Sequence, residues 1–183
     1  MMQNFIYGAG GHGKVVFDAM QASAIDCTGF VDDKDIASWM GLSVTKASAL
    51  NLTADVKLHL AIGNIKARQD LANRLTYAQY FSIYHPAAII AKTAHIGFGT
   101  FVAAQVIIAP DAKIGNHCIV NHAAVVDHDC NIGDFTHVAP QSSLGGAVTV
   151  GKCVLIGAGA IILPGVTIAD YAVLALVLSS QRT

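Results

Sequence analysis

From Ile89 onward the aliphatic residues fall into a strict frame of six. Cut there, the chain reads IIAKTA, HIGFGT, FVAAQV, IIAPDA, KIGNHC, IVNHAA, VVDHDC, NIGDFT, HVAPQS, SLGGAV, TVGKCV, LIGAGA, IILPGV, TIADYA and VLALVL. The second position is Ile, Val or Leu in all fifteen hexads, the third is Gly or Ala in twelve, and the sixth is small or aliphatic throughout. A helix cannot produce this period, because its apolar stripe recurs near 3.6 residues. In an extended segment, positions six and two flank position one and point the same way, so both are expected to face inward. Positions three and four then turn a corner, where Gly is expected to supply a positive φ. Three segments close a triangle, and fifteen hexads make a parallel β-helix of about five coils.

Residues 1–88 lack the hexads and carry most of the charge. FIYGAGGHGKVVFDAM reads as strand, glycine-rich turn and helix to about Ala24. DCTGFVDD reads as a second strand ending in Asp32-Asp33, KLHLAIGN as a third, Lys66 to Tyr77 as a helix and YFSIYHP as a last short strand. Alternating strands and helices predict a small parallel α/β sheet. His85-Pro86 marks the joint between a domain at 1–85 and one at 86–183, since Pro ends regular structure. The turn from Gly8 to Gly13 fits G-x-G-x-x-G, with Asp32 and Asp33 about twenty residues further on. Yet the segment holds only half of a doubly wound sheet. This half-Rossmann unit suits one nucleoside diphosphate better than a dinucleotide. Gly8 to Lys14 also fits the phosphate loop of nucleoside triphosphatases, but Val15 stands where Ser or Thr would hold Mg²⁺.

Composition narrows the function. Hydrophobic residues are 54% and charged residues 13% of the 183, which excludes a disordered chain. A net charge of −1 gives no field toward nucleic acid or anionic lipid. The four cysteines form no C-x-x-C pair and read as buried thiols in a reducing cytoplasm. MMQNFIYGAGGHGK shows no signal peptide. The uncharged run from Cys153 to Ala169 approaches transmembrane length, but its glycines, its Pro164 and its hexad frame read as a soluble coil. Nine charged residues among the last 95 leave large faces that favour self-association.

Five of the eight histidines lie in the hexads. His95 and His117 have no acidic or amide neighbour and read as surface residues. His128 sits at a corner between Asp127 and Asp129, and with Asp134 these are three of the five acids in the repeat region. A carboxylate bonded to one ring nitrogen fixes the tautomer and raises the basicity of the other, which suits a general base. Asp127 or Asp129 can fill that role. Asn121 is either a corner residue or an amide that positions a ligand, and Cys130 reads as an inward core residue.

The hexads resemble the hexapeptide-repeat family, whose fold is a left-handed parallel β-helix. GAGGHGKVVFDAM, VDDK, AIGN and VNHAAVVDHDCNIGDFTHVAPQSSLGG together resemble its bacterial sugar acetyltransferase branch. That branch includes N-acetyltransferases of UDP-4-amino-4,6-dideoxy sugars (the bacillosamine route) and sialic acid O-acetyltransferases. The resemblance implies a cytoplasmic homotrimer that uses acetyl-CoA and no metal, by direct transfer in a ternary complex, for surface glycan synthesis. His128 would be the base, Asp129 or Asp127 its orienting acid, and Asn121 a neighbour of the reacting centre. His137 and the backbone at Gly146 would contact the pantetheine arm. Gly10, Gly11, His12, Asp32, Asp33, Lys34, Gly63 and Asn64 would hold the UDP-sugar. O-acetylation of a free sugar and a non-catalytic nucleotide-sugar scaffold are the alternatives. Relatives carry a small residue where this chain has Leu176 and a longer cap where it has SSQRT, which bears on the adenine end of CoA.

Overall fold

The computed structural model describes residues 2–174, so the departure at Leu176 and SSQRT lies outside the described residues. The first domain has strands β1 (Gln3–Tyr7), β2 (Gly29–Asp32), β3 (Ser38–Trp39), β4 (Leu42–Lys46), β5 (Val56–Leu60) and β6 (Gln79–Tyr80). Their order is β3-β4-β2-β1-β5-β6, parallel throughout except for β3 against β4. Helix α1 (Gly11–Ala22) follows β1 and helix α2 (Ile65–Arg74) follows β5. Side chains alternate along β1, so Ile6 packs with Val16 and Met20 of α1 while Phe5 and Tyr7 join Leu71 of α2 in a second core.

Two local readings are corrected, and one hairpin is added. Helix α2 stops at Arg74, three residues short of Tyr77. Leu75 leaves helical geometry (φ −105°, ψ 49°), and the β-branched and aromatic pair Thr76-Tyr77 has little propensity to continue. The segment between β2 and β5 holds an unanticipated hairpin, β3–β4, turned on Met40-Gly41 with φ of +50° and +80°. That is the primed two-residue geometry that matches strand twist. YFSIYHP is two strands in different sheets: β6 extends the first domain, and β7 (Ile83–Tyr84) pairs with Phe101-Val102.

With β7 the solenoid begins. Sixteen two-residue strands form three parallel sheets of six, five and five. The first face carries the column Ile83, Phe101, Ile119, His137, Leu155 and Val173. The second carries Ile89, Ile107, Val125, Ser143 and Ile161. The third carries His95, Lys113, Asn131, Thr149 and Thr167. Partners are 18 residues apart, giving five triangular coils and one further strand of a left-handed β-helix. From Thr100 to Ile162 the second and sixth positions fill the core as expected, including Cys118 and Cys130, whereas Val166, a sixth position of the last coil, is 39% exposed. The inward hydroxyls are satisfied: Thr100 donates to the Gly115 carbonyl (2.9 Å), and Thr136 to that of Gly151 (2.9 Å).

The corner geometry differs from the expectation. Left-handed backbone falls on the fifth position, not the third. From Gly99 to Tyr171 every fifth position has φ between +53° and +74°, although only Gly99, Gly159 and Gly165 are glycines. The third position is small for another reason: the next coil rests on it. A Cβ on Gly115 would stand 2.7 Å from the backbone nitrogen of Asp134, and one on Gly133 would stand 2.6 Å from that of Lys152. The first domain lies against the first face, where Ile6, Val16 and Met20 share one core with Ile83 and Phe101.

Candidate active site

The candidate residues fall into two groups. The first occupies the corner between the second and third faces. His128 Nδ1 lies 2.8 Å from Asp129 Oδ2. Asp127 Oδ1 accepts the backbone N–H of His128 at 2.7 Å. Asp127 therefore closes its own corner, and Asp129 holds the ring. The hydrogen bond to Asp129, reinforced by the charge of Asp127, raises the pKa of His128. The ring lies on Gly146, one coil further on, where an added Cβ would stand 2.5 Å from Nε2. Gly146 is thus the floor beneath the imidazole, and Nε2 is the nitrogen left to meet a ligand.

The second group sits where the first domain meets the first face. Asn121 Oδ1 accepts the His122 backbone N–H at 2.9 Å, which fixes the orientation of the amide. Its Nδ2 then faces His137 Nε2 at 3.2 Å, so that ring nitrogen accepts and the proton resides on Nδ1. Burial, followed by the charge of Arg68, pushes the His137 pKa down to about 4. His137 shares a cleft of about 450 Å³ with Gly63, Asn64, Ile65, Leu155 and Tyr171. The Asn64 side chain caps α2, accepting from the Ala67 N–H at 2.9 Å.

The glycine turn separates into structural and open positions. Gly8 has φ +122° and a Cβ there would meet the Ala61 carbonyl oxygen at 2.8 Å; a Cβ on Gly13 would collide with the Gly8 carbonyl. Around Gly10 and Gly11 a Cβ would meet nothing within 4 Å. Those two open the start of α1, whose free N–H groups favour an anion. His12 turns toward the solenoid, edge-on to Phe101 at 5.4 Å, with Nε2 buried and without a partner. Burial pushes its pKa down to about 3.

The acidic pair divides its work. Asp32 accepts the backbone N–H groups of Ala9 and Lys34, both at 2.9 Å, tying the glycine turn to the end of β2. Asp33 accepts from the Tyr7 hydroxyl at 2.8 Å and from Arg74 at 3.4 Å. Lys34 is exposed.

Sequence reasoning missed Tyr7 and Arg74, and it misplaced His117. That ring is buried, stacked on Phe135 at 5.1 Å and edge-on to Tyr80 at 4.5 Å. It also missed Arg68, whose signal was faint: it stands three residues before Leu71, on the stripe of α2 that faces inward. Within one chain the two groups do not converge. A triangular coil sets the His128–Gly146 corner opposite the first face, which carries His137 and against which the glycine turn of the first domain places His12.

Comparison with known proteins agrees with this architecture. The PglD N-terminal domain family matches residues 4–75. A UDP-N-acetylbacillosamine N-acetyltransferase from Bacillus subtilis (strain 168) is 36% identical over 108 residues, 54% of this chain and 50% of the relative, so the match spans half that relative's length. The structure of a mutant perosamine N-acetyltransferase from Caulobacter crescentus, in complex with CoA and GDP-perosamine, superposes with a TM-score of 0.91. It is 32% identical, over 96% of this chain and 86% of that one. The acetyltransferase domain of PglB from Neisseria gonorrhoeae, in complex with acetyl coenzyme A, gives a TM-score of 0.75 at 28% identity, over 91% of this chain and 95% of that one. With a half-Rossmann domain on a hexapeptide-repeat prism, and a solved relative 32% identical and matched over 86% of its length, this chain belongs to the family of hexapeptide-repeat sugar N-acetyltransferases.

Proposed function

We propose that this chain transfers the acetyl group of acetyl-CoA to the amine of a nucleotide-linked amino sugar, a UDP-linked 4-amino-4,6-dideoxy sugar, for bacterial surface glycan synthesis in the cytoplasm. The observation that carries the reading is the His128–Asp129 pair lying over Gly146 with Nε2 free. A neutral sugar amine attacks the acetyl carbonyl and His128 Nε2 accepts its proton. The new N–C bond forms, the C–S bond breaks, and the proton passes to the departing thiolate. Asp129 stabilises the imidazolium that forms between those steps. Gly10, Gly11 and His12 would receive the diphosphate, with Asp33, Lys34 and Gly63-Asn64 around the nucleotide and sugar. Asn121 and His137 would line the reacting centre. Holding both substrates in one complex supplies proximity.

Separation of the two groups in one chain calls for a second copy. The outward column of the second face (Ile89, Ile107, Val125, Ser143 and Ile161) is largely apolar, and Ile161 is 76% exposed. Three prisms with these faces toward a common axis bury that column. Each His128 corner then meets the edge of its neighbour that carries Asn121, beside the glycine turn. The homotrimer is therefore part of the proposal.

A thiol-release assay with acetyl-CoA against UDP-linked amino sugars, GDP-perosamine and free sialic acids tests the reading. Release with a nucleotide amino sugar is expected, and His128→Ala should lower turnover by about 10²- to 10⁴-fold with the trimer retained. Release with free sialic acids alone, or full turnover in that variant, overturns it.

A further inference from the structure

Arg68 is a charged side chain buried to 1% exposure, the largest of the fully buried residues. Among the described residues no carboxylate pairs with it. Its guanidinium instead donates to backbone carbonyls from two parts of the molecule. One set belongs to the loop between β5 and α2: Nη1 reaches Ile62 at 2.6 Å and Gly63 at 3.4 Å. The other belongs to the solenoid: Nε reaches His117 at 2.9 Å and Nη2 reaches Phe135 at 2.7 Å. His117 and Phe135 are fifth positions of successive coils, both in left-handed backbone. One rigid planar fork thus joins the loop that carries Gly63-Asn64 to two stacked corners beside the first face.

A buried ion without a counter-ion is costly, and a helix residue facing a core is ordinarily apolar. A methionine or leucine would fill the same space but could not donate to the four carbonyls. The loop it holds borders the cleft shared with His137, whose ring is fixed from the other side by Asn121. We infer that Arg68 is a positioning residue, which sets the register between the nucleotide-binding loop at Ile62–Asn64 and the solenoid wall that holds His137. This rests on the acetyl-transfer reading for its catalytic consequence, not for its geometry. As a second consequence, the guanidinium charge opposes protonation of His137, His117, His59 and His12, each of which burial already holds neutral.

The test uses the full chain with Arg68→Lys and Arg68→Met. Lysine keeps the charge and loses the fork; methionine fills the volume and leaves no unpaired buried charge. Both are expected to fold, to bind CoA and the nucleotide sugar separately with Kd values within threefold of the parent, and to lose at least tenfold in kcat. Hydrogen–deuterium exchange at residues 62–67 is expected to quicken at least tenfold in Arg68→Met, with coils 143–156 unchanged. A kcat within twofold of the parent in either variant overturns the inference. So does joint loss of both Kd values with protection of the coils, because that marks a role in folding alone. If the parent chain transfers no acetyl group, the functional reading fails by itself, and the exchange arm decides: unchanged exchange at 62–67 removes the register role as well.

Discussion

Two aspartates flank one histidine, and their geometry gives them different work. Asp127 accepts a backbone N–H at its own corner, whereas Asp129 binds the ring, so Asp129 tunes the proton affinity of Nε2 through a hydrogen bond and Asp127 through its charge alone. The carboxylate raises the His128 pKa above its ordinary value. A general base works unprotonated, so activity falls as pH drops through that pKa. Removing the carboxylate should therefore move the acidic limb of the kcat/KM profile to lower pH. Asp129→Asn is expected to show that shift together with a loss of about tenfold in turnover at neutral pH. Asp127→Ala should move the limb the same way but by less, because it removes a charge near the ring and not the hydrogen bond to it. A limb that stays in place in Asp129→Asn, or moves upward, would assign the orienting role elsewhere.

At the scale of the element, each hexad solves two steric problems at different positions. The fifth position bends the chain left-handed, and the third lets the next coil settle on it. Non-glycine residues in left-handed backbone cost about 1–2 kcal/mol each, which the stacked coils offset through parallel ladders and buried aliphatic rows. Two substitutions of opposite sign follow. Ala123→Gly, at φ +54°, should raise the unfolding free energy by about 1 kcal/mol. Gly115→Ala should lower it by about 1–3 kcal/mol, because its Cβ would press on Asp134. Urea melts of the two variants check both signs, and a stabilising Gly115→Ala would show that close approach is not why the third position stays small. The inward rows were legible in the sequence because burial repeats every six residues, once per face of the 18-residue coil. The left-handed positions were not, because Gln105, His117, Phe135 and Gln141 carry no local mark of that conformation; the stacking of coils imposes it. The β3–β4 hairpin escaped notice because Met40 is not a turn former, and Gly41 alone is a weak signal. Of the candidate site, the His128 corner and the glycine turn could be read from local chemistry. The Asn121–His137 bond depends on a separation of 16 residues, and the Arg68 fork on separations of up to 67. Neither distance leaves a trace in a local window.

At the scale of the whole molecule, the joint between the domains is a chamber of neutral imidazoles around one guanidinium. Burial pushes His12 to about 3 and His59, His117 and His137 each to about 4, with Arg68 adding to the shift in all four. In the unfolded chain these rings return to about 6.5. Between the two values the unfolded chain binds more protons than the folded one, so stability falls as pH falls. The contribution is fully present above about pH 6.5 and is lost progressively toward pH 4, at up to about 1.4 kcal/mol per pH unit for each ring. His128 runs the other way, since its folded pKa is raised, but its ring is solvent-exposed and adds little to the balance. The urea midpoint of the chain should therefore drop steeply between pH 6.5 and 5. Failure is expected to begin at the joint, because the solenoid interior is lined by groups that do not titrate in that range. Exchange measured at pH 5 should rise first at α1, at residues 62–67 and around His117, while the ladders from Val138 to Val150 keep their protection. A midpoint flat from pH 7 to 5 would mean that these rings already sit protonated or solvated in the folded chain. Simultaneous loss of protection in both domains would mean that the joint and the prism unfold as one unit.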